Sequence, residues 1–374
     1  MRKFPTLLAA SSLVLLVAAC TTIPPVPGAG GTGGEGGNGG TGGQTFPCTE
    51  QGIRNAIAAG GGPHSFECSG PTSVPTAAVI LIDNAVILDG GGDLIVDGND
   101  DHRVFEVASD TTAELRGMTI TRGKSSVGAG VFIGAGADVT LTGCSIVECT
   151  ADDFGTSAGI QVSERALLTL IASTISRNVA FAGGGISVGN GATADVLRST
   201  ISGNVAQDSV SGGISVAGRL TVTNSTLSGN SPGAIAVGPD SSTTLTSTTI
   251  DGVEPGSGVP TIFIVGAGAL TMVNSVLSGS CDSDVVVSGG HNIESPGDTC
   301  GLGGVGDAVG VSASQLNLGA LQQKGGPTQT HEPASGSVAI DAIDPGDCEV
   351  EDDQRGVARP QAAGCDVGAV EVVP

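Results

Sequence analysis

The sequence predicts an all-β chain wound as a right-handed parallel β-helix, a single-stranded solenoid, and three observations carry that expectation. Glycine supplies 63 of 374 residues amid abundant Thr, Ser, Val and Ile, a composition that disfavours helix interiors and suits short strands between turns. Near-identical words recur, SRNVAFAGGGISV over residues 176–188 and SGNVAQDSVSGGISV over 202–216. Two ladders then run through the chain. One is a β-branched or hydroxyl residue followed by Ile120, Ile146, Ile175, Ile201, Leu227, Ile250 and Leu277, in steps of 23 to 29 residues. The other is a small-small-apolar step ending at Val131, Ile160, Ile186, Ile214 and Ile235. A repeat of this length buries its apolar face only when a neighbour stacks on it, so the constant words are strands and the elastic middle is an outward loop. Propeller blades run to about 40–50 residues, and a sandwich would not hold one register through so many copies. About nine to eleven coils are expected.

In chain order, residues 1–19 read as an export signal: Arg2 and Lys3, an apolar run too short to span a bilayer, then small residues. Val17, Ala18, Ala19 and Cys20 resemble a bacterial lipobox, in which cleavage precedes the cysteine and its sulfur carries a diacylglycerol. Cys20 is therefore the expected lipidation site. Thr21 in place of Asp favours outer-membrane sorting in a Gram-negative host. Residues 20–45 are a glycine-rich tether with almost no apolar side chain to offset ordering. It lacks the flanking strand and Lys-Ser/Thr of a phosphate loop. Residues 46–76 are assigned to an N-terminal cap with a short helix around 51–59, since an open solenoid end exposes strand edges. The β-helix is assigned to 77–300, and 301–374 form a closing tail.

Within the coils, Asn178, Asn204 and Asn230 each fall three places after a ladder residue and predict a stacked structural column at a turn. Leaving Cys20 aside, the eight remaining cysteines are an even number in an exported chain, which permits disulfides. Proximity suggests Cys48 with Cys68, Cys281 with Cys300 and Cys348 with Cys365, although spacing does not fix connectivity. Alternation turns Cys144 inward with Ile146, and an extended strand puts Cys149 beyond disulfide reach of it. The formal charge is −23, and −25 once Arg2 and Lys3 depart, which repels nucleic acid and polyanions.

Several stretches carry a family resemblance: VDGNDDHRVFEV (96–107), the TISGN and GGGISV words, NSVLSGSCDSDVVVSGGHNIESPGDTCGL (274–302) and LGALQQKGGPTQTHEPASGSVAIDAIDPGDCEVEDDQRGVARPQAAGCDVGAVE (318–371). The chain resembles bacterial β-helix proteins of the pectate-lyase-like superfamily that end in a choice-of-anchor Q domain. Its SGN-then-GGI rhythm is also similar to that of polymorphic outer-membrane proteins. With the sequence ending VEVVP, anchoring is expected through Cys20 rather than through a terminal barrel. The resemblance implies a cell-surface setting and no settled activity.

Each residue set that could carry chemistry also has a structural reading. Glycoside hydrolysis needs facing carboxylates, for which Asp97, Asp100 and Asp101 with His102 and Arg103, or Asp152 with Asp153, are the candidates. The bland alternative is that the Asp and Arg of NDDHR tie a turn. A lyase would need a base, and Arg116, Arg122, Lys124, Arg165, Arg177, Arg198 and Arg219 are scattered along the coils. Arg122, Lys124 and Arg177 allow a line of positive charge across them, but solvated outer-face residues are the favoured reading. The chain has no Trp or Tyr and eight Phe, which counts against aromatic sugar platforms. Asp341, Asp344, Asp347, Glu349, Glu351, Asp352 and Asp353 crowd the tail, where Ca2+ is the one cofactor to consider; their spacing matches no calcium loop and reads as a solvated run. No G-x-S-x-G elbow occurs. The expectation is an exported, lipid-anchored monomer at the outer membrane or cell surface, structural or adhesive. It would meet a surface glycan or protein and no nucleic acid, with a polysaccharide lyase or glycoside hydrolase as the alternative.

Overall fold

Alternation along each short strand decides the architecture: in Ile160–Val162, Ile186–Val188 and Ile214–Val216 the outer two residues are buried and the central one faces out. The computed structural model describes residues 42–152, 154–209, 211–252, 259–282 and 286–374. Cys20, the signal, most of the tether and Asp153 lie outside the described residues.

The chain is an all-β parallel solenoid with three strand lanes per coil and, on four of the coils, a short extra lane that stands third of four in chain order. The long lane carries Asp138–Thr142, Leu167–Ile171, Thr193–Leu197, Arg219–Thr223, Ser242–Thr246 and Ala269–Val273, paired in parallel without slippage. A left-handed turn residue bends it into the second lane, Ser145–Val147, Thr174–Ser176, Thr200–Ser202, Thr226–Ser228, Thr249–Asp251 and Val276–Gly279. Two-residue strands such as Val179–Ala180 and Val205–Ala206 follow. The fourth lane returns through eight strands, Ile80–Ile82 to Ile262–Ile264. Stacked Ile, Leu and Val from the long, second and fourth lanes form one continuous core, and a smaller cluster around Ile293, Leu316 and Ile343 lies under the tail.

Eight strands in the fourth lane mean about eight full coils, fewer than the nine to eleven expected. The excess counted partial turns at both ends, whose strands join the long sheet but send none to the fourth lane. At the N-terminus the sheet begins at Thr45, inside the stretch assigned to the tether. Gly61–Glu67 and Thr72–Pro75, assigned to the cap, already pair with Val86–Asp97. GGPHSFE hides that strand because it lacks β-branched alternation.

Helix Glu50–Ala59 covers the open core with Ile53, Ala56 and Ile57, and Thr49 caps it by accepting from the Gly52 N–H. Cys48 and Cys68 are bonded beside it, and the other bridges join Cys281 to Cys300 and Cys348 to Cys365. After Ile293–Pro296 the tail makes a short helix, Ala313–Leu316, and a hairpin, Gln322–Gln323 with Gln329–Thr330. It then doubles back over the outer face of the second lane, where Thr200, Thr226 and Thr249 become buried.

Candidate functional site

The turn after the second lane decides the fate of most candidate residues. Arg122, Glu148 and Arg177 occupy this turn on successive coils, all left-handed, at φ 50°, 56° and 55°. The line of positive charge that the sequence allows is therefore an alternating stripe: Arg122 pairs with Asp97, and Arg177 pairs with Glu148 at 3.0 Å. Parallel stacking puts like positions over like, so the acidic residue at the intervening coil neutralises the column. Arg116 pairs with Glu114 at 2.6 Å, Arg165 lies 3.9 Å from Glu164, and Arg198 meets Asp352 at 3.2 Å. Lys124 contributes its backbone to the short lane and Arg219 begins a long-lane strand.

Asp97 is 4% exposed and receives hydrogen bonds from Arg122, Ser73 and the Asn99 N–H. Burial would raise its pKa, but the Arg122 bonds and the Asn99 N–H outweigh it and hold the carboxyl below the usual range. His102 Nε2 and the Thr76 hydroxyl share a bond of 2.8 Å. Arg103 donates to the Gly128 and Val127 carbonyls, pairs with Glu106 and stacks 4.5 Å over Phe132. Asp100 and Asp101 are exposed on the turn, and Asp152 on a loop. NDDHR thus ties one coil to the next, and its carboxylates do not face each other across a groove.

The asparagine column is a hydrogen-bonded ladder. Asn204 Oδ1 accepts from the Asn178 backbone N–H at 3.1 Å and from Asn178 Nδ2 at 2.9 Å, and Asn204 Nδ2 donates to the Ile175 carbonyl and to Asn230 Oδ1. Cys149 stands at its head, its N–H donating to Asn178 Oδ1 at 2.9 Å. A second ladder escaped the sequence reading. The Cys144 N–H donates to Ser173 Oγ, the Ser173 N–H to Ser199 Oγ, and the Ser199 N–H to Ser225 Oγ. Its signal was present, a small residue two places before each ladder Ile or Leu from Ile146 onward. Both cysteines are buried thiols, and burial pushes that of Cys149 up to about 12.

The tail holds the densest charge cluster. Arg355 reaches Asp353 and Glu332 at 2.9 Å, and Arg359 pairs with Glu371 at 3.2 Å, both 1% exposed. Burial pushes Asp366 up to about 6, against N–H bonds from Asp341 and Val372. Asp352 and Asp353 are spent on Arg198 and Arg355, Asp347 lies near His291, and the Asp341 carboxylate accepts from the Gly364 N–H. Among the described residues, no three His, Cys, Asp or Glu gather as a metal site.

The concave feature of interest is a cleft of about 340 Å3 where the tail stops. Its floor is the outer face of the second lane on the uncovered coils, Thr119, Ser145 and Thr174, and its end wall is the hairpin from Gln323 to Gln329. On the covered coils the tail seats a side chain on the same face. Gln354 is fully buried, its Oε1 accepting from Thr226 Oγ1 at 2.6 Å and its Nε2 donating to Thr200 Oγ1 at 3.0 Å and Thr328 Oγ1 at 2.8 Å. His331 lies beside it, Nε2 2.8 Å from Ser228 Oγ and Nδ1 2.6 Å from the Gly319 carbonyl.

Comparison with known proteins agrees with this geometry. A family model described as a right handed beta helix region matches residues 73–250. A solved structure, the crystal structure of pectate lyase Pel9A, superposes with a TM-score of 0.52 at 14% identity, covering 88% of this chain and 96% of that one. At that identity the likeness establishes the fold. The search of curated proteins returned no match.

Proposed function

We propose that the chain is an exported lipoprotein, anchored through Cys20 to the bacterial envelope, whose β-helix is a rigid scaffold that presents a binding surface without catalysing a reaction. The observation that carries this reading is the fate of Asp97, the buried carboxylate of the candidate cluster, which is consumed by Arg122, Ser73 and the Asn99 N–H. A general acid or nucleophile needs a carboxylate directed at substrate; this one is directed at the next coil. The signal-like start, the glycine tether and the similarity of residues 318–371 to choice-of-anchor Q tails support the surface setting, as does the resemblance of the repeats to polymorphic outer-membrane proteins.

Two experiments test the reading. Fatty-acid labelling of the expressed chain should vanish in Cys20→Ala. Incubation with acidic and neutral polysaccharides in the presence of calcium should yield no new reducing ends and no unsaturated-uronate absorbance. Cleavage that disappears in Asp100→Asn/Asp101→Asn with folding intact would overturn the scaffold in favour of a lyase or hydrolase.

A further inference from the structure

We propose that the cleft beside the tail hairpin is a binding site for an uncharged glycan carrying N-acetyl groups, recognised through its acetamide between hydroxyls of neighbouring coils. This deepens the non-catalytic binding reading and rests on it. The chain itself shows what this face accepts. Gln354 inserts a neutral carboxamide between Thr200 and Thr226, receiving a hydrogen bond at its oxygen from one coil and donating through its nitrogen to the other. Those two threonines are direct partners in the parallel register, separated by the strand spacing of about 4.8 Å. The column continues beyond the tail: Thr200 pairs with Thr174, Thr174 with Ser145, and Ser145 with Thr119. The Thr119/Ser145 and Ser145/Thr174 pairs therefore repeat the seat on the coils that floor the cleft.

The flanks change where the tail ends. The turn between the long and second lanes carries Arg198, Asn224, Ser247 and Asn274 on the covered coils, and three of these bond the tail: Arg198 to Asp352, Asn224 to the Asp352 carbonyl, Asn274 to the Asp347 carbonyl. On the cleft coils the same turn carries Gly117, Gly143 and Ala172, so a ligand can approach the backbone closely. At the opposite rim Arg177 is paired with Glu148 just outside the cleft at 3.0 Å, which offsets its charge. An amide-bearing, hydroxyl-rich, uncharged chain satisfies floor and rim together. Strand addition by a peptide is excluded, since these strands are paired on both sides, and a peptide seated through a side-chain carboxamide, as the tail is, is the competing occupant in the test. The cleft volume lies at the low end of the roughly 300–1,000 Å3 of small-ligand sites, enough for one or two sugar rings.

The test is titration calorimetry of the full chain with N,N′,N″-triacetylchitotriose, with cellotriose as the trisaccharide lacking acetamides and a peptide copying residues 326–332 as the polypeptide arm. The expected result is binding of the acetylated sugar at least tenfold tighter than cellotriose. Thr174→Val and Ser145→Ala should each weaken it at least tenfold with an unchanged melting curve, while Thr169→Val on the neighbouring lane should have no effect. No saturation at millimolar sugar, equal affinity for cellotriose, indifference to the Thr174 and Ser145 variants, or binding of the peptide alone would each overturn the site. Binding followed by cleavage of the sugar would support the site and overturn the non-catalytic reading, whereas absence of binding would remove the site and leave the scaffold untouched.

Discussion

Replacing Asn204 by Ala tests whether the ladder holds the coils in register. Asn204 is fully buried and its side chain takes part in four bonds: from the Asn178 N–H, from Asn178 Nδ2, to the Ile175 carbonyl and to Asn230 Oδ1. At a net contribution of about 0.5–1.5 kcal/mol each, with buried partners left unsatisfied, the loss should be about 3–5 kcal/mol. For a chain of this length that corresponds to a fall in melting temperature of roughly 5 °C. Calorimetry of Asn204→Ala beside Asn190→Ala, at an exposed turn position, isolates the ladder. The Asn178→Ala/Asn204→Ala pair should also couple by about 1 kcal/mol or more, since the first residue donates twice to the second. A shift within error of the Asn190 control, or strict additivity of the pair, would refute the ladder as a source of stability.

Deleting residues 179–204, one coil of the 26-residue period, should leave a folded chain with cooperative unfolding in which Thr174 inherits the Thr200 seat beneath Gln354; an unfolded product by circular dichroism would contradict the register. Once Cys20 is blocked, the native chain should resist thiol reagents and expose two thiols on denaturation, because Cys144 and Cys149 are buried and the latter's pKa is pushed up to about 12. Asp97 has a folded pKa below its unfolded value, so its stabilisation is present at neutral pH and is lost as pH falls through the folded pKa; Asp97→Asn should flatten that part of the acid stability curve. Asp366 behaves oppositely. With a folded pKa of about 6 against 3.8, folding takes up a proton between these values, so Asp366 should add up to about 3 kcal/mol as pH drops from 7 to 4, a gain absent in Asp366→Asn.

The repeat was legible because each lane writes one residue type at one place in every coil. Ile175, Ile201 and Leu227 fill the same slot, and Asn178, Asn204 and Asn230 fill another. The serine ladder was equally periodic but passed unread, because Cys144 and Thr248 interrupt its spelling and serine is also a common turn residue. The cysteines gain their meaning from the columns: Cys149 takes the asparagine position and Cys144 the serine position, each offering its backbone N–H to the next side chain. The alternating charge of the Arg122, Glu148 and Arg177 column is hard to see in sequence, because the intervening coil puts an acid where its neighbours put a base. The candidate site was the least legible part. Thr200, Thr226 and Gln354 are separated by up to 154 residues, and the return of the tail over the second lane leaves no periodic trace.

The tail and the cleft are two uses of one surface. Inward, each coil spends its small polar residues on its neighbours' backbones, and the two ladders make the turns self-sufficient. The outward hydroxyls of the second lane are then available for recognition. Where the adjoining turn carries Arg198, Asn224 and Asn274, the chain supplies its own occupant, and the second-lane hydroxyls that this buries are paired, Thr226 with Gln354, Thr200 with the Gln329 carbonyl and Ser228 with His331, while Asn224 Oδ1 and Asn274 Oδ1 are buried without a partner. Where the turn carries Gly117, Gly143 and Ala172, nothing at that turn grips the tail, and the hydroxyl column is left to solvent. The reach of the tail hairpin and the identity of one turn column together set where the scaffold stops recognising itself and where a foreign neutral chain can begin.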